Sequence, residues 1–309
     1  MLKIIFFGTS DYCLAVLDSL YKKFQLTAII TKPPPNPVYE FAQKNKIRIF
    51  TPNNVAQLLD LESQLFQLKP GLAVVADYGL IIPEEIYNLP AYKTINIHFS
   101  HLPRFRGPSP VQFSILKGEK EAWVSVILMG KKVDDGPLLT QIKYPFSPQK
   151  ETAQSLYTKL FESIAEDLPH IINDYTAGLL ILKKQNSLNI SYTRKLKRED
   201  GFIPFKQFQQ ALQGLPLRKA LQQSILNEAL EKSTNLALTI ERATRAFDPW
   251  PGVWTILPNN KRLKILKAEI NPNTHKFTPK MVQLEGKKPV TITQFNEGYP
   301  ALAVQLSFK

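Results

Sequence analysis

Residues 2–8 read LKIIFFG, in which Ile4, Ile5, Phe6 and Phe7 make an unbroken apolar run closed by a glycine. A strand wetted on one face alternates apolar and polar residues. An unbroken run means burial on both faces, as in a parallel sheet covered by helices. The neighbouring segments agree. Leu14, Leu17 and Leu20 recur at three-residue spacing between Ser10 and Lys23, with Ser10 or Asp11 available as N-cap, so a helix succeeds the strand. LTAIIT (26–31) is a second buried strand, and the cluster PPPNP forbids a helix before about Val38. A short helix over Tyr39–Asn45 leads to IRIF, and another comes after Pro52 and Asn53. GLAVVADYG (71–79), TINIH (94–98) and WVSVILM (123–129) read as further buried strands, with a helix near Pro110–Leu116 and a long one over Glu151–Tyr175. This alternation implies an open, mostly parallel, doubly wound α/β sheet over residues 1–182.

The remainder differs in character. Residues 183–204 (KKQNSLNISYTRKLKREDGFIP) show no sustained apolar period, carry six basic residues and read as a linker crossing the surface. Helices near Phe205–Gln213 and Leu236–Ala246 precede FDPWPGVWT. Then WTIL (254–257), RLKILKAEI (262–270), MVQLEG (281–286), PVTITQF (289–295) and ALAVQLSF (301–308) alternate with turn signals. Five short strands at that spacing suggest a small β-barrel or open roll over 205–309. A length of 309 residues suits two domains.

Charge separates the parts again. Residues 1–182 hold 18 basic and 17 acidic side chains, whereas 183–309 hold 21 and 9. A net +12 in the second part suggests a polyanionic partner gripped there. No apolar run is long enough for a bilayer, and no basic segment with an apolar core opens the chain, so a cytoplasmic protein is expected. Cys13 stands alone, which excludes an internal disulfide framework and a zinc site of several thiolates.

Open α/β sheets bind ligands at the carboxyl ends of their strands, and four such ends carry suggestive residues. FGTSDY (7–12) has one glycine where a dinucleotide fingerprint needs three, so it reads as a tight turn. Tyr78, Gly79, Leu80 and Ile81, before Ile82 and Pro83, could wall a flat ligand or simply turn from strand to helix. In INIHFSHLPRFRGPSP (95–110), Asn96 and His98 are two apart on a strand and point to one face. An amide beside an imidazole suits a developing oxyanion, and Arg104 and Arg106 in the next loop suit an anion. In KKVDDGP (131–137), paired acids before Gly-Pro usually cap a turn. Asp134 there comes after a buried strand, which would bring a carboxylate to His98 for proton movement. His98, His101 and Asp134 make a poor metal set, and no metal is expected.

Taken as whole strings, FFGTSDYCLAVLDSL, VVADYGLIIP, INIHFSHLPRFRGPSPVQ, VDDGPLLTQ and RAFDPWPGVWT resemble, in order and spacing, the motifs of the folate-dependent formyltransferases. The full set is most similar to those acting on methionyl-tRNA. The resemblance implies a Rossmann-like formyltransferase domain succeeded by a smaller open β-barrel, OB-like domain. It implies transfer of a formyl group from 10-formyltetrahydrofolate, as co-substrate, to the amino group of methionyl initiator tRNA, for translation initiation. Asn96, His98 and Asp134 stand at its catalytic positions, and Ser100, His101, Leu102 and Pro103 where it binds tetrahydrofolate. The stretch Tyr78, Gly79, Leu80 and Ile81 would line the pterin pocket. Charged initiator tRNA would meet Arg104 and Arg106, the trio Lys195, Lys197 and Arg198, and Arg262 with Lys264 on one strand face. The segment TKPPPNPVY (31–39) is shorter than the basic loop of the tRNA enzymes. Two alternatives therefore stand beside that reading: an N-formyltransferase for a nucleotide-linked amino sugar, and an inactive RNA-binding relative. A monomer is expected.

Overall fold

The N-terminal apolar run lies in the middle of a seven-stranded sheet in the computed structural model, which describes residues 1–215, 226, 235–271, 273–274 and 276–306. The strands are β1 (Lys3–Gly8), β2 (Gln25–Ile30), β3 (Ile49–Phe50), β4 (Leu72–Ala76), β5 (Thr94–His98), β6 (Ala122–Leu128) and β7 (Leu138–Tyr144), in the order β3-β2-β1-β4-β5-β6-β7. Strands β1 to β5 pair in parallel. Ile5 and Phe7 pack on one face with Ala28, Ile30, Ala73 and Val75, while Ile4 and Phe6 are fully buried on the other. Each large side chain so buried stabilises by about 1.5–3 kcal/mol relative to exposure. Strand order reverses between β1 and β4, which puts a ligand crevice outside the carboxyl ends of those strands.

Helix α1 (Leu14–Lys23) comes after β1, and α2 (Pro37–Lys44) after the proline cluster. Asn36 caps α2 by accepting from the Tyr39 N–H at 2.9 Å. The long helix α3 (Ala153–Thr176) contains Pro169, which has no N–H for the carbonyl of Ala165 four residues back. The Ser19 hydroxyl of α1 donates to that carbonyl at 2.6 Å, so the orphaned acceptor becomes a tie between two helices.

The sheet departs from expectation on one side. Strand β6 was expected to extend the mostly parallel set, but it pairs antiparallel with β5 and with β7. LLTQIKY (138–144) was not among the expected strands, because only its first two residues are buried. The pairing has a geometric consequence. Leu128, at the end of β6, stands opposite Ile95, while Ser125 stands opposite His98. The turn after β6 therefore starts at the opposite end of β5 from His98.

The chain divides into two units, the first of residues 1–110, 121–145 and 157–193, the second of 111–120, 146–156 and 194–309. The stretch expected as a linker is thus shared, 183–193 lying in the first unit and 194–204 in the second. The second unit contains helices α4 (Phe205–Leu212) and α5 (Leu236–Ala246). Its antiparallel sheet is built from β8 (Val253–Ile256), β9 (Arg262–Ile270), β10 (Phe277–Leu284) and β11 (Val290–Thr291), in the order β11-β10-β9-β8. Two expected strands are helical instead: PVTITQF runs into α6 (Ile292–Gly298), and ALAVQLSF lies largely on α7 (Pro300–Gln305). The rest of the latter, 307–308, falls outside the described residues. The physical reason is capping. Thr291 Oγ1 accepts from the Gln294 N–H at 3.3 Å while Gln294 Oε1 accepts from the Thr291 N–H at 3.0 Å, a capping box, and Pro300 sits where a helix tolerates proline. Among the described residues, no helix is long and apolar enough to cross a membrane.

Thr291→Ala should lower the stability of the second unit by about 1 kcal/mol, the usual value of such a cap. Urea unfolding monitored by tryptophan fluorescence in a Trp123→Phe background, which leaves Trp250 and Trp254 of the second unit, checks this, and an unchanged midpoint would mean that packing of Phe295, not the cap, starts the helix.

Candidate active site

The site is assembled around one carboxylate. Asn96 and His98 lie on β5, and both side chains reach Asp134. Asn96 Nδ2 donates to Asp134 Oδ1 at 3.1 Å, and His98 Nδ1 stands 3.4 Å from Asp134 Oδ2. The Gly107 N–H donates to the same Oδ2 at 2.7 Å. Asp134 arrives here because residues 129–137 double back from the far end of β5, and two backbone features permit it. A Cβ on Gly136 would collide with the Leu128 carbonyl oxygen, so only glycine allows the returning chain to lie so close. Asp134 itself sits at φ 52°, a left-handed conformation that aspartate tolerates better than most residues. Asp77 (φ 52°) and Phe105 (φ 58°), in the two neighbouring loops, are left-handed as well.

His98 is buried, and its Nε2 lies 2.9 Å from the Phe105 carbonyl oxygen. Each ring nitrogen thus faces an oxygen. A neutral imidazole can donate to only one of them; a ring with a proton on each nitrogen donates to both. Asn96 Nδ2 carries two hydrogens, of which Asp134 takes one.

The other expected site residues fall into three groups. Arg106, expected in the loop as a cation facing an anion, is buried instead, and its Nε and Nη2 donate to Gln185 Oε1 at 3.2 and 2.7 Å. Arg104 stays partly exposed, its guanidinium 4.9 Å from the centre of the Phe105 ring. In the loop read as folate-binding, Ser100 and Leu102 turn inward. The Ser100 hydroxyl donates to the Arg104 carbonyl at 2.6 Å, Leu102 packs with Ile127 and Leu138, and only His101 and Pro103 are not buried. His101 stacks on Trp123 with ring centroids 4.1 Å apart.

The loop after β4 suits a flat apolar ligand better. Ile81 is 75% exposed, Gly79 has open space where a side chain would be, and Tyr78 packs edge-on against Phe7. The Tyr78 hydroxyl is buried without a hydrogen-bond partner, and burial pushes the phenol up to about 12. Ile81 thus offers exposed apolar surface next to the open space at Gly79, while the Tyr78 hydroxyl lies enclosed beneath it. Among the described residues, no group of three His, Cys, Asp or Glu could hold a metal ion.

In the second unit, Lys195, Lys197 and Arg198 are exposed. Their loop is pinned by buried Asp200, which accepts from Arg194 at 2.8 and 2.6 Å and from the Lys197 N–H at 2.6 Å. Arg262 and Lys264 share a face of β9, as alternation required; Lys264 stands opposite Trp254, and Arg262 pairs with Glu285 at 3.8 Å.

Residues with no expected role in the site hold this arrangement. Ser125 Oγ donates to the Ser100 carbonyl at 2.6 Å and accepts from the Leu102 N–H at 3.2 Å and from Gln141 at 2.9 Å. One hydroxyl in the apolar run WVSVILM was its signal. Gln185 had none.

A model of the formyl transferase family matches residues 2–172, and one of the formyl transferase C-terminal domain matches 234–282. Methionyl-tRNA formyltransferase of Wolbachia pipientis is 31% identical to this chain, the match covering 96% of each. The enzyme of the same name from Caldanaerobacter subterraneus is 30% identical over 87% of this chain and 81% of its own. An N-formyltransferase from Helicobacter canadensis, solved in complex with folinic acid and dTDP-3-aminofucose, superposes with a TM-score of 0.61 at 18% identity, covering 94% of this chain and 99% of that one; at that identity the likeness is one of fold. With whole-length matches of this kind, and a fold and motif order to go with them, the chain belongs to the methionyl-tRNA formyltransferase family.

Proposed function

We propose that this enzyme transfers the formyl group of 10-formyltetrahydrofolate to the amino group of methionyl initiator tRNA, with Asn96, His98 and Asp134 as the catalytic residues. The observation that carries the chemistry is the single carboxylate shared by the Asn96 amide, the His98 ring and the Gly107 N–H. The acceptor rests on likeness to methionyl-tRNA formyltransferases along nearly their whole length, together with the basic second part of the chain.

The donor supplies a formyl carbon bonded to N10. The acceptor's neutral amine places its lone pair on that carbon, and the carbonyl π pair moves to oxygen. When that pair returns, the bond to N10 breaks, and the proton lost by the amine ends on N10. Asn96 and His98 donate hydrogen bonds to the oxygen while it carries charge, Asn96 through the hydrogen not given to Asp134. For His98, Nε2 exchanges the Phe105 carbonyl for that oxygen. Asp134 fixes the ring through Nδ1 and offers the amine proton a place to pause. Tyr78, Gly79 and Ile81 would hold the pterin, and exposed Lys195, Lys197 and Arg198 the phosphate backbone of the acceptor.

Three outcomes test this. His98→Ala and Asn96→Ala should each slow transfer by ~100–1,000-fold, about 3–4 kcal/mol of lost oxyanion stabilisation, and the double variant should lose less than the sum. A loss under about tenfold for His98→Ala would remove it from the oxyanion. Asp134→Asn keeps the size, removes the charge and turns one of the two accepting oxygens into an amide donor, so it cannot serve Asn96, His98 and the Gly107 N–H together. It should cut turnover severely while donor affinity, measured by equilibrium titration, stays near native. Finally, replacing Lys195, Lys197 and Arg198 together should weaken tRNA binding and flatten its salt dependence by up to about three phosphates, each near 0.7–0.9 log units per log salt. A shallow salt dependence in the native enzyme would instead favour an acceptor with one diphosphate, such as a nucleotide-linked amino sugar.

A further inference from the structure

Residues 183–193 look like exposed linker in the sequence, yet in the first unit they bond to both loops of the site. Lys183 exchanges backbone hydrogen bonds with Leu138 at 2.8 and 2.9 Å. On the loop after β5, the Ser191 carbonyl accepts from the Arg106 N–H at 2.9 Å, and the Ser191 hydroxyl oxygen accepts from the Phe105 N–H at 2.9 Å. Thr193 N–H donates to the Arg106 carbonyl at 2.6 Å, and Thr193 Oγ1 accepts from the Ser109 N–H at 3.1 Å.

Between these anchors sits Gln185, buried, with its amide committed at both ends. Nε2 donates to the carbonyl oxygens of Asp134 and Gly136, at 2.8 Å each. Oε1 accepts both bonds from the Arg106 guanidinium. A residue in the left-handed conformation, as Asp134 is, directs its carbonyl out of any regular ladder, and such a carbonyl left buried without a donor is costly. The Gln185 amide supplies that donor twice, two residues apart on the returning chain, and so fixes the direction from which the Asp134 carboxylate projects. Arg106 in turn fixes the amide's orientation, because only the oxygen can face a guanidinium. Phe105, whose carbonyl holds His98 Nε2, is adjacent to Arg106. One buried amide therefore ties the carboxylate's turn to the loop that touches His98.

We propose that Gln185, oriented by Arg106, is a positioning residue for formyl transfer: it sets Asp134 against Asn96 and His98. The inference rests on the catalytic reading of those three residues given above. Gln185→Glu keeps the size and the acceptor for Arg106, removes the amide donor and brings a carboxylate oxygen against two carbonyls. It should lower kcat about ten- to a hundredfold, the range that small misplacements of catalytic groups produce, while KM for donor and acceptor changes less than about threefold. The chain has four histidines, so nitrogen-15 labelling gives four ring systems, and the one missing from His98→Ala assigns His98. Its Nδ1 resonance in Gln185→Glu should move toward the position found in Asp134→Asn, a readout that needs no turnover. A kcat within threefold of native, or a fall in kcat with an unmoved His98 resonance, would overturn the proposal. Should Gln185→Glu fail to fold, Arg106→Met with Gln185→Met removes the buried charge together with its partner. That pair should fold and still be slow; folded and as fast as native, it would overturn the proposal too. Native protein that formylates no acceptor, with the His98 resonance still displaced in Gln185→Glu, would remove the proposed reaction and uphold the positioning.

Discussion

The site depends on a carboxylate that has to travel. Strand β6 runs antiparallel to β5, so the turn carrying Asp134 begins beside Ile95 and not beside His98. Only by doubling back does the chain bring Asp134 Oδ2 within 2.7 Å of the Gly107 N–H and within 3.4 Å of His98 Nδ1. That return demands a glycine packed onto the Leu128 carbonyl and a left-handed aspartate. Each is a local cost, the left-handed residue of order 1–3 kcal/mol. Both are offset by hydrogen bonds that converge on the turn from the loop after β5 and from residues 183–193.

The parallel half of the sheet plays the complementary part. It holds β1, β4 and β5 rigid, with both faces buried, and its order reverses between β1 and β4. The loop bearing Tyr78, Gly79 and Ile81 leaves the end of β4, and the loop bearing Phe105 leaves the end of β5. The strands therefore end in one loop with exposed apolar surface at Ile81 and one polar loop whose Phe105 carbonyl meets His98.

Much of this was legible in the chain. Two-sided burial of LKIIFFG and LTAIIT announced the parallel sheet, and the two-residue spacing of Asn96 and His98 put both on one face. What stayed hidden is physical in origin. Strand polarity leaves no mark on composition, so β6 gave no sign of running the other way. PVTITQF alternates well enough to pass for a strand, and its capping residues, Thr291 and Gln294, decide for the helix. Arg106 and Gln185 are polar residues in basic, turn-rich sequence, where exposure is the ordinary expectation; their burial comes from pairing with each other, which no local pattern encodes.

The second part of the chain bears on which amine is formylated. Its charge excess and its exposed Lys195, Lys197 and Arg198 suit a polyanion. The chemistry proposed at Asp134 would be the same for any primary amine that reached it. The most direct measurement is therefore transfer of radiolabelled formyl from 10-formyltetrahydrofolate with charged initiator tRNA and nucleotide-linked amino sugars offered side by side. The expected result is that label enters methionyl-tRNA and not the sugars. Label in an amino sugar alone, or in no acceptor at all, would contradict it.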